Sequence, residues 1–101
     1  MKKKKLCDYV LCTKTVIDKD YCDEVCWNRQ IIYDKFNGRS ALNPSHPAEV
    51  MHEIVPRSLR PRNWWTLDNM IPLTNAEHRK IHDEGAKKYR NQLQEIVNGV
   101  R

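Results

Sequence analysis

The sequence predicts a small α+β domain, and three observations predict it. Residues 23–36 and 74–98 carry apolar positions at helical spacing, and each run ends at an Asn-Gly pair. Residues 48–55 and 69–73 are short apolar runs of strand length, closed or interrupted by proline. Four cysteines crowd the first quarter of a chain whose 101 residues form one domain, 1–101, near the size at which a core needs a staple.

The elements follow in order. "MKKKKL" opens the chain as a solvated basic arm, residues 1–5. "YVLCTKTVI" is rich in β-branched residues and reads as strand or hairpin around Cys12, with "DKD" as a turn. From Asp23 to Phe36 the pattern is helical, with Val25, Ile32 and Phe36 on one side and Asn37-Gly38 as the stop. Residues 6–38 thus form a cysteine knuckle and helix. "GRSALNPSHP" is a loop. "AEVMHEIV" reads as a strand stopped by Pro56, and "RSLRPRNWWTLD" as a long basic loop. "NMIPL" is a second strand in which Pro72 suits only an edge or an end. Thr74 and Glu77 form a capping box for a helix running to about Asn98. Gly85 weakens its middle by about 1 kcal/mol relative to alanine. Tyr89, Leu93 and Ile96 supply its core stripe.

Net charge is +5, which favours a polyanionic partner such as nucleic acid. No apolar run approaches the roughly 18 residues of a membrane span, and no apolar segment follows the lysines, so neither a membrane anchor nor a secretory signal is expected. The expected compartment is therefore cytoplasmic and reducing, where cysteines bind metals more often than they form disulfides.

The cysteines are spaced Cys7-x4-Cys12, nine residues, then Cys22-x3-Cys26. Two short knuckles of this kind suit a structural zinc site of four thiolates. Buried free thiols and disulfides are the alternatives. Four thiolates leave no open position for chemistry, so the expected role is folding.

The histidines divide differently. His46, in "PSHP", reads as an exposed loop residue. His78 and His82 are four apart and project from one helix face, a common way of presenting two metal ligands. Gly85 follows on that face and leaves room for close approach. His52, in the earlier strand, would meet this pair across the strand–helix junction. Three neutral imidazoles leave positions open for water and phosphate, as in a catalytic metal site.

"HEIVPRS", "LDNMIPLT" and "EHRKIH", in that order, resemble the HNH endonucleases, the ββα-metal (His-Me finger) nucleases. The helical His-x3-His is similar to the colicin nuclease branch, and the upstream cysteines to zinc-stapled HNH proteins of bacteriophages. The resemblance is closest over 48 to about 84, within a ββα-metal motif at 48–98.

The resemblance implies a metal-dependent DNA endonuclease, a hydrolase leaving 5′ phosphate and 3′ hydroxyl ends. It implies one catalytic divalent cation (Mg, Mn, Ni or Zn) beside the structural zinc. His52, His78 and His82 take the ligand positions. Asn69 takes that of the asparagine that holds the loop and orients the base. Where the family usually has a histidine base, this sequence has Glu53. Either Glu53 takes the proton with His52 as ligand, the preferred assignment, or His52 is the base and Glu53 a ligand. Adjacent side chains in a flat strand face opposite ways, so convergence calls for a twist or bulge. Arg57, Arg60, Arg62, Arg79 and Lys80 are the expected nucleic-acid-binding residues. Trp64 and Trp65 could wedge or stack on bases, although at least one is expected in the core. A homodimer would supply two sites for a double-strand cut. The phage-like pattern suggests DNA processing or packaging partners in a bacterial cell. A non-catalytic zinc-containing DNA-binding module and an HNH-type RNase are the rival readings.

Overall fold

The structure is a computed structural model that describes residues 4–99. Residues 1–3 of the expected basic arm lie outside the described residues. Lys4 and Lys5 are not arm but strand: β1 (Lys4–Leu6) pairs antiparallel with β2 (Thr15–Ile17). The Cys7 N–H extends this ladder to the Lys14 carbonyl at 2.9 Å, so the hairpin mouth carries Cys7 and Cys12. Lys5 bonds Asp8 and Asp20, which offsets the charge expected of a free arm.

Helix α1 (Glu24–Lys35) agrees with the expected span to within a residue at each end. Asp23 caps it by accepting the Cys26 N–H at 2.8 Å. Its stop is built as the sequence suggests. Asn37 and Gly38 take φ of 56° and 71°, and a side chain at Gly38 would collide with the Tyr33 ring.

Strands β3 (Val50–Glu53) and β4 (Met70–Leu73) form a separate antiparallel pair, with His52 opposite Ile71 and Glu53 opposite Met70. β3 is shorter than the apolar run that predicts it. With two strands every position is an edge, which is how Pro72 is tolerated. Helix α2 (Asn75–Glu84) begins at Thr74 with both halves of the capping box formed.

The long helix expected over 74–98 does not exist as one piece. It breaks at Gly85 (φ 101°, ψ 110°), passes through a 3-10 turn at Ala86–Tyr89, and resumes as α3 (Arg90–Gly99). The reason is burial. In a straight helix Leu93 would lie about 18 Å along the axis from Ile81, at about 1.5 Å per residue. The bend folds Leu93 and Val97 into the same core as Ile81, Ile54, Ile71 and Leu73. Tyr89 donates to Glu84 at 2.8 Å across the bend.

A second, smaller core forms around Cys7, Tyr9, Val16 and Cys26. Helix α1 joins the two: Tyr33 packs against the cysteine core and Phe36 against the aliphatic one. The chain is a small α+β fold with three α-helices and two two-stranded antiparallel sheets among the described residues. No helix among those residues is long and apolar enough to cross a membrane.

Gly85→Ala separates a bent from a continuous helix. In a continuous helix the change would stabilise by about 1 kcal/mol. Here nothing stands near the added methyl, but the backbone conformation disfavours it. The expected outcome is a loss of about 1–3 kcal/mol, read as a lowered urea midpoint or Tm.

Candidate metal centres

The β3–β4 pair and α2 bring three histidines together. His52 projects from β3 beneath α2 and is buried at 3% exposure. His78 and His82 descend from α2, one half-buried and one exposed. Thr74 and Glu77 set where that helix starts, and Ile81, buried between the two histidines in sequence, fixes which face turns inward. The ring centroids lie 5.1 Å (52–78), 5.7 Å (52–82) and 4.5 Å (78–82) apart. One nitrogen from each ring lies within 4.8 Å of the others.

Two observations make the cluster fit a cation. His78 Nε2 and His82 Nε2 are 2.9 Å apart, a hydrogen-bonding distance that is also close to the roughly 3.0 Å separating two nitrogens each about 2.1 Å from one ion at a right angle. His52 Nε2 is buried with no hydrogen-bond partner among the described residues. Buried polar atoms are seldom left so, and a lone pair aimed at an ion is one resolution. Burial first, then His78 and His82, push the His52 imidazole down to about 4. Burial and His82 also lower His78. Both rings are neutral near pH 7, as ligands must be.

Glu53 joins His52, His78, His82, Met51 and Pro56 around an open cavity of about 280 Å³. That is room for an ion with several waters, at about 30 Å³ each. The convergence needs no bulge, since pairing is one-to-one through Glu53. His52 enters from the covered face, and Glu53 reaches the cavity from the strand end. The Glu53 carboxylate is gripped by Arg57.

Asn69 is fully buried and holds the loop between the strands. Its side chain accepts the Val55 N–H at 2.8 Å and donates to the carbonyls of Val55 and Trp64 at 3.0 and 2.9 Å. Its carbonyl takes the Ile54 N–H at 2.9 Å. The loop mouth just past β3 therefore closes on one residue.

The basic residues part company. Arg57, Arg62 and Arg79 are exposed. Arg60 turns into its own loop, bonding Asn63 and Thr66 and pairing with Asp68 at 3.7 Å. Lys80 pairs with Glu84 at 3.9 Å. Neither Trp64 nor Trp65 joins the core, against expectation; both are half-buried. The aliphatic core is already filled by α3 once the helix bends. Trp64 instead lies under the Arg57 guanidinium. Gly85 serves the bend rather than a close approach at the site. His46 is exposed, as expected.

The four cysteines form the second cluster. Their sulfurs all lie within 4.8 Å of one another, and none is in a disulfide. Cys12 and Cys22 Sγ are 3.9 Å apart, and Cys22 and Cys26 Sγ 3.4 Å. Four sulfurs about 2.3 Å from a tetrahedral ion would stand about 3.8 Å apart. The cluster could therefore hold a structural metal ion. The Cys22 N–H donates to Cys7 Sγ at 3.3 Å, and Arg29 Nη1 to Cys26 Sγ at 3.5 Å. Desolvation pushes Cys7 up, but hydrogen bonds from the Cys22 and Tyr9 backbone bring the thiol below its ordinary value. Desolvation raises Cys22 and, strongly, Cys26, so a cation is what would make both thiolates favourable.

Sequence reading missed three contributors. Arg29 was legible, since it stands three residues after Cys26 on a helix. Met51, which lines the histidine cavity and packs against the cysteine core, gave no signal in sequence; Trp64 was read as a stacking residue, but not as the platform beneath Arg57. No family model, no curated protein and no solved structure matches this chain.

The depressed His52 sets a pH dependence. As pH falls from about 6.5 towards 4, the unfolded chain binds a proton that the folded chain refuses, so stability is lost over that window and is fully present above it. With no added divalent cation, the stability advantage of wild type over His52→Gln should shrink through the window by on the order of 3 kcal/mol. Urea titrations at stepped pH check this, and a pH-independent difference would show that His52 protonates in place.

Proposed function

We propose that this chain is a metal-dependent DNA endonuclease of the HNH type. The observation that carries the reading is the convergence of His52, His78 and His82 beside Glu53, on an antiparallel strand pair followed by a helix. The order of elements and residues is the one the family resemblance implies. Net positive charge and the exposed Arg57, Arg62 and Arg79 suit a phosphate backbone.

His52, His78 and His82 would hold the divalent cation. When bound, it supplies charge neutralisation at the scissile phosphate and at the leaving 3′ oxygen. The unpartnered His52 Nε2 favours a ligand role for His52, which leaves the proton of the attacking water to a Glu53 oxygen. Asn69 ties the strand end and the loop together, so the carboxylate and the imidazoles keep their spacing. Arg57, paired with cavity-lining Glu53, and the exposed Arg62 of the same loop would supply positive charge that orients the backbone without reading sequence. In-line attack by water leaves a 5′ phosphate and a 3′ hydroxyl.

One observation favours a second reading. The bidentate grip of Arg57 on Glu53 engages the carboxylate that would act as base. A non-catalytic DNA-binding module accounts for that pairing equally well.

For the cysteine cluster the same reading proposes zinc, which four soft sulfur ligands near tetrahedral spacing suit. Arg29 offsets part of the excess negative charge of four thiolates. Purified protein should carry one zinc per chain at this site. Stripping it with a strong chelator should expose four reactive thiols and lower Tm, and Cys26→Ser should lose the metal. Full thermal stability after zinc removal would contradict the assignment.

Supercoiled plasmid tests the activity. Cleavage should require added Mg²⁺, Mn²⁺ or Ni²⁺. It should fall by at least about 100-fold in His82→Ala, since losing even a partner that only orients a metal ligand costs about 10–100-fold. Glu53→Ala should cost about 10²–10⁴-fold, as for a lost general base. A folded protein that shifts DNA on a gel but cuts with no metal would establish the binding module instead. Cleavage of RNA alone would move the substrate class.

A further inference from the structure

Glu53 and Arg57 meet as a fork. Arg57 Nε lies 3.1 and 3.3 Å from the two carboxylate oxygens, and Nη2 lies 3.0 Å from Oε2. The guanidinium carbon stands 3.6 Å over the centre of the Trp64 ring. Trp64 is itself held, because its carbonyl accepts from buried Asn69. The carboxylate and the ring together set the plane of the guanidinium in the free protein. Its partner lies on the wall of the histidine cavity with its side chain 23% exposed, while the Arg57 side chain is 56% exposed.

This pairing has two effects on an incoming phosphate. It offsets the positive charge of Arg57, and it ties up the Glu53 carboxylate on the cavity wall. A phosphate offers the same pair of oxygens to a guanidinium that a carboxylate does. An ion pair this open to water also costs little to part.

We propose that Arg57 exchanges partners when nucleic acid binds. In the free protein it holds Glu53. When a backbone phosphate reaches the cavity mouth, Arg57 passes to the phosphate without leaving the Trp64 ring, and the Glu53 carboxylate is released towards the three histidines. Arg57 is thus a positioning residue that couples arrival of the phosphate to release of the carboxylate. The inference rests on the nucleic-acid reading of the cavity, but it concerns binding and can be tested without cleavage.

The test is a double-mutant cycle on affinity for a short fluorescent DNA duplex, with no added divalent cation and the probe checked for intactness. If Glu53 competes with phosphate for Arg57, Glu53→Gln frees the arginine. The variant should bind about fivefold tighter, and its plot of log affinity against log salt should steepen by about one. In an Arg57→Ala background the same change should alter affinity less than about twofold, because only the general loss of one negative charge remains. Both residues are on the surface, and circular dichroism confirms that the variants fold. An equal gain in both backgrounds, or no gain in either, overturns the exchange. If plasmid is still cut in a metal-dependent way, the nuclease reading then stands without it. Failure of every variant to bind DNA overturns both.

Discussion

A buried nitrogen without a hydrogen-bond partner, Nε2 of His52, is the constraint on which the histidine site depends. Burying an imidazole costs free energy unless its polar atoms are satisfied, and no group among the described residues bonds this one. The surroundings make the cost acceptable in one way only, by keeping the ring neutral. Burial and two neighbouring imidazoles push it in that direction together. A neutral lone pair facing two others is what a cation needs.

Holding that arrangement takes most of the remaining structure. β3 must be paired so that His52 turns under α2, and β4 must deliver the chain straight into Thr74. The capping box then starts α2 at a defined residue, and with it the direction in which His78 and His82 point. Ile81 seats the helix, and the core it enters is completed by Leu93 and Val97 from beyond the bend. That dependence links the break at Gly85 to the site.

The loop between the strands is closed in a comparable way. Asn69 ties its two ends together, and Asn28 of α1 donates to the Trp65 carbonyl from the other side. The Arg57–Trp64 stack is therefore placed by both halves of the molecule. Met51 extends the link, since it touches the cysteine core while its neighbour His52 enters the histidine cluster. A fold this small needs the cysteine unit as support, because its aliphatic core alone is modest.

Much of the site was legible in the chain. A helix that offers histidines four apart must put them on one face, and a capping box fixes that face from three residues. Cysteines in two short knuckles can hardly avoid meeting. A strand ending in His-Glu before proline, ahead of a second strand and that helix, leaves few ways to pack. These are local relations, set by backbone geometry over a few residues, and sequence by itself determined them. What it could not determine were choices made by competition for the core. Gly85 reads as a blemish in a long helix, yet the helix breaks there because Leu93 and Val97 can be buried only if it does. Lys4 and Lys5 read as a free arm, yet backbone pairing to Thr15–Ile17 and the Asp8 and Asp20 carboxylates take them into a hairpin. The tryptophans read as core candidates, yet α3 fills the core and leaves Trp64 as a platform for Arg57. Glu53 and His52 lining one cavity, and Arg57 gripping Glu53, arise from where a strand ends and a loop returns. Contacts between distant segments decide such matters, and only the tertiary structure contains them.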